Sequence, residues 1–210
     1  MKIIFLGAPG AGKGTQAEKV SARLGIPTIS TGAIIRAAVQ NGTKMGLEAK
    51  KFIEAGAFVS DDIVIEIVKE RLAKSDCDKG YILDGFPRSV PQAAALEEMG
   101  VVLDKVVSLE ISDEAIIERM SGRRVCSKCG KTFHVEHIPS NRGDICDVCD
   151  GHLAIRADDA PDVVRSRLEV YHSVTEPLKD YYREKGILCT VEGADGIEIT
   201  TQRTFEALGI

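Results

Sequence analysis

The chain has 210 residues, 44% of them hydrophobic and 28% charged, with 27 lysines and arginines against 32 acidic residues for a net charge of −5. That balance suits a soluble core with room for small inserted lobes, and it advertises neither a nucleic-acid nor a membrane surface. No apolar run approaches the ~18 residues of a membrane span, and the opening before the first glycines is too brief for a signal peptide, so a cytoplasmic protein is expected.

Lys2 to Leu6 is a short apolar run stopped by glycines and reads as a buried strand. Lys13 to Leu24 carries Gln16, Ala17, Val20 and Leu24 at helical spacing, and Gly25-Ile26-Pro27 ends it. From Ser30 to Val59 the pattern is helical in two pieces, broken at Asn41-Gly42. Ser60-Asp61-Asp62 then reads as a cap and acidic first turn for a helix reaching about Lys74. Gly80 to Asp84 and Lys105 to Ile111 are further strands, each followed by a helix, Ser89 to Met99 and Asp113 to Met120. Residues 122–159 lose this character: cysteines, histidines and glycines replace large aliphatics. After Pro161 an amphipathic helix places Val164, Leu168, Tyr171, Val174, Leu178 and Tyr182 on one stripe, with Pro177 expected to kink or end it. A strand at Ile187 to Val191 and a last helix close the chain. Alternating strands and helices imply an α/β fold, a parallel sheet covered on both faces. The two departures, 30–59 and 122–159, are expected to be insertions over the carboxyl ends of the strands, where such sheets bind ligands.

Gly7-Ala8-Pro9-Gly10-Ala11-Gly12-Lys13-Gly14-Thr15 sits between the first strand and helix. It is a phosphate-loop pattern relaxed at its end, since Gly14 holds the usual Ser/Thr place and Thr15 follows. Glycines let the backbone turn its N–H groups inward, the helix adds its positive end, and Lys13 supplies a charge for the outer phosphates. The bland reading is a glycine-rich turn that binds nothing.

Cys126-Ser-Lys-Cys129 and Cys146-Asp-Val-Cys149, sixteen residues apart, match a spacing used by four-thiolate zinc sites. Four sulfurs leave no open coordination position, so a structural role is expected, the metal replacing the apolar core this segment lacks. Disulfides are the alternative in an oxidising compartment. His134, His137 and His152 read as surface or packing residues, and Cys77 and Cys189 as small buried hydrophobes.

The loop GAPGAGKGT, Ser30-Thr31-Gly32, Asp84-Gly85-Phe86-Pro87-Arg88, Gly122-Arg123-Arg124, Arg156-Ala157-Asp158-Asp159 and Arg165-Ser166-Arg167-Leu168 together resemble the adenylate kinases, in order and over essentially the whole chain. The resemblance implies transfer of the γ-phosphoryl group of MgATP to AMP, giving ADP, by a monomer. It implies a core of 1–29, 60–121 and 160–210, an AMP-binding lobe at 30–59 and a zinc-bearing lid at 122–159. ATP would be served by Gly10, Ala11, Gly12, Lys13, Gly14, Thr15, Arg119, Arg123, Thr132, Phe133 and Asp195. AMP would be held by Thr31, Arg36, Ala57, Phe58, Val59, Gly85, Phe86, Pro87, Arg88, Gln92, Arg156 and Arg167. Catalysis would fall to Lys13, Asp84, Arg88, Arg123, Arg156 and Arg167. Phosphoryl transfer asks a protein for alignment and for stabilisation of spread negative charge, which planar guanidinium forks provide.

Each assignment has a plainer competitor. Any one arginine taken alone is ordinarily a solvated surface group. Gln92 completes Ser89-x-x-Gln92, so its amide is claimed both by a capping box and by the adenine. Asp84 sits where an acid would help hold hydrated Mg²⁺, or where it would cap the turn into Gly85. Position 33 is Ala33 where the resemblance leads one to expect Asp, which thins the surroundings of the magnesium. Other readings are a kinase for a different nucleoside monophosphate, a phosphate-loop switch protein lacking a guanine-specifying Asn-Lys-x-Asp, and a zinc-ribbon RNA binder, which Asp144, Asp147 and Asp150 disfavour.

Overall fold

The structure is a computed structural model that describes residues 1–54, 59–193 and 196–210. Its centre is a five-stranded parallel sheet built from β1 (Lys2–Gly7), β2 (Thr28–Ser30), β3 (Tyr81–Asp84), β4 (Lys105–Glu110) and β8 (Leu188–Glu192), in spatial order β2-β3-β1-β4-β8. Because β1 is covered on both sides, its side chains are apolar in both phases. Ile4 and Leu6 join Leu83 and Val106 on one face, while Ile3 and Phe5 join Ile82, Val107 and Leu109 on the other. The first face is covered by α2 (Thr31–Gln40), α4 (Asp61–Leu72), α5 (Val90–Glu98) and α8 (Leu178–Glu184), through residues such as Ile35, Val68, Leu96 and Leu178. The second is covered by α1 (Lys13–Leu24) and α9 (Ile197–Leu208), through Ala17, Val20 and Leu208.

Local chemistry sets the element ends. Gly25, at φ 65°, closes α1 with its N–H on the Ser21 carbonyl at 2.8 Å. Ser30, Ser89 and Ser112 cap α2, α5 and α6 (Asp113–Gly122), accepting from the N–H groups of Ala33, Gln92 and Ala115. Ser60 stands at the N-cap of α4 without a side-chain capping bond, and Asp61 turns away to Ser89 and Gln92. The helix ends at Leu72, short of Lys74. The short edge strand β2 was absent from the helical and loop pattern read around it, since three residues are too few to show a period.

Between Gln40 and α3 (Lys44–Glu54) the predicted break at Asn41-Gly42 is present. Residues 123–154 form a separate antiparallel sheet in the order β6-β5-β7, from β5 (Arg123–Cys126), β6 (Thr132–His134) and β7 (Leu153–Ala154). The stripe expected after Pro161 is divided. Helix α7 (Pro161–Val170) passes into a π turn at Tyr171–Thr175, and α8 follows Pro177. Five of the six stripe residues are buried, but Val174 is exposed and Thr175 faces inward in its place, its hydroxyl donating to a main-chain carbonyl of another segment.

Candidate active site

The carboxyl ends of β1, β2 and β3 meet at one edge of the sheet, carrying Gly7, Ser30 and Asp84. Gly10 and Gly12 take φ of 87° and 98°, and a Cβ on Gly10 would lie 2.8 Å from Sδ of Met120. Only glycine lets the loop fold this tightly against α6. The first ladder bond of α1 is Gln16 N–H to the Gly12 carbonyl at 3.0 Å. The N–H groups of Lys13, Gly14 and Thr15 therefore lie ahead of the helical ladder, at the positive end of α1. Lys13 curls back to donate to the carbonyls of Gly7 and Ala8, at 2.7 and 2.8 Å. A Cβ on Gly14 would reach within 3.8 Å of Asp84 Oδ2, so the carboxylate stands at the loop's shoulder.

On the opposite side of the cleft, Thr31 at the start of α2 donates to the Gly85 carbonyl at 2.9 Å, and Arg88 Nε donates to the same oxygen at 2.9 Å. The Phe86–Pro87 peptide is cis, and both residues are buried. A cavity lined by Gly7, Lys13, Gly85, Arg88, Arg167 and Thr175 lies between loop and turn. Val59 is buried beside the core. Ala57, Phe58 and Asp195 fall outside the described residues.

Arginines from distant segments converge here. Arg123, at the end of α6, makes a two-pronged pair with Asp159, with Nε to Oδ2 at 2.7 Å. Arg156 pairs with Asp158 in the same way, Nε to Oδ1 at 2.8 Å. Arg167, on α7, donates to the Asp158 carbonyl at 2.8 Å and approaches the Asp158 carboxylate at 3.0 Å. The Asp158-Asp159 step thus answers three arginines at the base of the small sheet. Sequence reading noted that step only as part of a motif. Its signal was a pair of adjacent acids two and three residues after an arginine, Arg156-Ala157-Asp158-Asp159.

The carboxylates do not balance the cations. Burial, then repulsion from Arg88, Arg167 and Arg123, brings Lys13 down to about 8 even with Asp84 pulling the other way. Burial also brings Arg167 down to about 10, with Arg156, Arg123 and Arg88 repelling it. The same cause lowers Arg88, which Asp84 partly offsets. Arg36, exposed as a residue on α2, is lowered by desolvation and by Arg156, Arg123 and Arg88, despite the pull of Asp158. A desolvated excess of positive charge around one cleft is a demand for anions.

Gln92 is 4% exposed and its amide is committed at both ends. Oε1 accepts from Arg88 N–H at 2.7 Å and Nε2 donates to Asp61 at 2.6 Å. A contact with a base would exchange one of those bonds. The partner Asp61 was not singled out from the sequence, because its position in the first turn of α4 explained it already.

In the small sheet, the four sulfurs of Cys126, Cys129, Cys146 and Cys149 lie within 4.8 Å of one another, with Cys126 and Cys149 at 3.4 Å and Cys129 and Cys146 at 3.7 Å. Four thiolates at ~2.3 Å from a tetrahedral zinc stand about 3.8 Å apart, whereas a disulfide closes to about 2 Å. The arrangement fits a metal and not a bridge. N–H groups of Lys128 and Cys129 point at Cys126 Sγ, and that of Val148 at Cys146 Sγ, the pattern that stabilises thiolates. Phe133 is 2% exposed against Cys126 and Cys146, so its ring belongs to this cluster, while Thr132 is exposed. His134 joins the small sheet to α6: Nδ1 accepts the N–H groups of Glu136 and His137, and Nε2 meets the Arg119 carbonyl at 3.1 Å. A Cβ on Gly122 would lie 2.4 Å from that ring.

No described helix is long and apolar enough to cross a membrane. The model of the family described as adenylate kinase matches residues 5–187. Adenylate kinases of Caldicellulosiruptor bescii and Caldicellulosiruptor saccharolyticus are 53% and 52% identical to the chain, each covering 100% of both sequences. The adenylate kinase of Syntrophotalea carbinolica is 51% identical over 100% of this chain and 99% of its own.

Proposed function

The chain belongs to the adenylate kinase family and transfers the γ-phosphoryl group of ATP to AMP, reversibly; from that premise we propose how its residues divide the work. Lys13 and the N–H groups from Gly10 to Thr15 hold the outer phosphates of ATP. Arg119, Arg123, Thr132, Phe133 and Asp195 serve the rest of that nucleotide, Phe133 through its backbone. Thr31, Arg36, Arg88 and Gln92 hold AMP with the turn Gly85-Phe86-Pro87 and residues 57–59, and Arg156 and Arg167 close over the group in flight.

The observation that carries this reading is the convergence of Lys13, Arg88, Arg123, Arg156 and Arg167 on one cleft, with burial and mutual repulsion pressing Lys13, Arg88 and Arg167 toward their neutral forms. Phosphate oxygens relieve that repulsion, and most relieve it where charge spreads during transfer. Asp158 and Asp159 hold the arginine forks in plane until the phosphates arrive. Magnesium bound with ATP supplies charge neutralisation between the phosphates. Asp84 is the residue of this chain that would meet its water shell, without help from position 33, where Ala33 stands. Segment 30–59 is the AMP lobe and 122–159 the lid, its four thiolates holding zinc for shape rather than chemistry. Action as a monomer belongs to the same proposal. Unpaired cysteines at metal spacing support a reducing, cytoplasmic location.

Arg88→Ala tests the acceptor assignment. Calorimetry is expected to show AMP affinity falling at least tenfold, about 1.4 kcal/mol, with ATP affinity within twofold of the parent. Equal losses for both nucleotides would remove the division of labour.

A further inference from the structure

Helix α7 does not run straight into α8. Pro177 cannot donate to a preceding carbonyl, and the residues before it wind as a π turn, closed by Glu176 N–H on the Tyr171 carbonyl at 2.9 Å. Single π turns recur where a helix must re-aim one side chain. This one is pinned from outside. His172 lies between Asp113 of α6 at 3.0 Å and Glu176 at 2.8 Å, and Lys179 bridges Glu110 and Glu176 at 2.7 and 2.9 Å.

The residue it turns inward is Thr175, 8% exposed, whose hydroxyl donates to the main-chain carbonyl of Arg88 at 2.8 Å. Threonines elsewhere in this chain behave as helical threonines usually do, giving the hydroxyl back to the carbonyl four residues earlier: Thr201 to Ile197 at 2.8 Å and Thr204 to Thr200 at 2.7 Å. Ser173, two residues away in the same turn, does so as well, with Glu169 at 2.9 Å. Thr175 reaches across to another segment. The carbonyl it meets lies one residue ahead of the α5 N-cap, where the helix cannot use it, since the first ladder bond runs from Ala93 to Ser89. A carbonyl in that position needs a partner from outside its own helix.

We propose that Thr175 is a positioning residue for the acceptor arginine. Arg88 is held at three points by three segments: its N–H by Gln92 Oε1 at 2.7 Å, its carbonyl by Thr175, and its Nε by the Gly85 carbonyl at 2.9 Å. The first and third bonds come from its own turn and helix. Of these three bonds, the one from Thr175 ties that turn to the helical layer carrying Arg167 and Tyr171, which line the same cavity. Thr175 therefore fixes how far the Arg88 guanidinium stands from the loop that carries the donor phosphates. Misplacement of a charged fork by a fraction of an ångström costs alignment, not binding of the distant nucleotide.

The inference rests on the assignment of Arg88 to AMP, so Arg88→Ala is measured beside it. Thr175→Val keeps shape and removes the donor, and Thr175→Ser keeps the donor. With both proteins folded by circular dichroism, Thr175→Val is expected to lower kcat/KM for AMP by about ten- to a hundredfold. The KM for ATP should stay within twofold, and Thr175→Ser should recover most of the loss. Thr175→Cys, a weak donor of similar size, replaces the valine if that variant does not fold and should fall between the two. Ser173→Ala, whose hydroxyl serves its own helix, should match the parent. Loss of AMP turnover in Arg88→Ala with normal kinetics in Thr175→Val would overturn this inference alone. Normal AMP handling in Arg88→Ala would overturn the assignment beneath it. Equal damage from valine and serine, or parallel losses for ATP and AMP, would make Thr175 a packing residue.

Discussion

Replacing Lys13 by methionine keeps the length of the side chain and removes the charge. In the ligand-free protein that charge is expensive. A fall from 10.5 to about 8 corresponds to roughly 3 kcal/mol of disfavoured protonation. The sign follows from the direction of the shift: the penalty is fully present below pH 8, and it is relieved as pH rises from about 8 towards 10.5. Methionine removes the penalty but also forfeits the two bonds to the carbonyls of Gly7 and Ala8, each worth on the order of 1.5–3 kcal/mol when charged. Two such bonds against roughly 3 kcal/mol leave a net loss of about 0–3 kcal/mol, so urea unfolding at pH 7 should place Lys13→Met between the parent and about 3 kcal/mol below it. Turnover with ATP and AMP should meanwhile fall at least a hundredfold, or ~3 kcal/mol of transition-state stabilisation. The parent should take up protons when it binds ATP near pH 8.5, because phosphate restores the charged lysine. Calorimetry in buffers of different ionisation enthalpy reads that uptake, and the variant should lose it. Near-normal turnover in the variant, or proton uptake that survives the substitution, would refute the phosphate-loop role of Lys13.

Metal analysis should find close to one zinc per chain. Stripping it should lower the melting temperature and reduce turnover only modestly at a permissive temperature, since the cysteine-bearing strands form a sheet separate from the parallel one. Complete inactivity of folded, metal-free protein would count against a structural zinc. Cys126→Ser and Cys149→Ser should mimic chelation, and Cys77→Ser and Cys189→Ser should leave metal content untouched. His172 is raised above its usual 6.5 by its bonds to Glu176 and then Asp113. Its contribution is therefore whole below pH 6.5 and fades as pH rises through the higher folded value. His172→Gln should lose at most about 1 kcal/mol at pH 6, the group being half exposed, and nothing at pH 9. Identical pH dependence of the urea midpoint in parent and variant would dismiss the bridge as an energetic contributor.

What the sequence determined by itself was whatever depends on neighbours in the chain. Apolar runs ended by glycine set β1 and β3, an apolar run ended by the Ser112 cap of the next helix set β4, serines set the caps of α2, α5 and α6, and each Cys-x-x-Cys placed two thiolates on one turn. Each is a short-range effect of backbone freedom, capping or ligand spacing, so a window of a few residues contains its cause. The tertiary structure decided the rest. The sequence offered two uses for the Gln92 amide, and packing added partners the sequence did not suggest: the Arg88 N–H from the cis turn and Asp61 from α4. Helical spacing put Val174 on the inward stripe, whereas a part-buried carbonyl 87 residues away selected its neighbour Thr175, which has a hydroxyl. The depressed Lys13, Arg88 and Arg167 are the plainest case. An arginine read alone is a solvated cation, and its demand for an anion arises only when folding removes its water and sets other cations beside it. Desolvation and Coulomb repulsion act through space, and the order of residues along the chain carries no record of them.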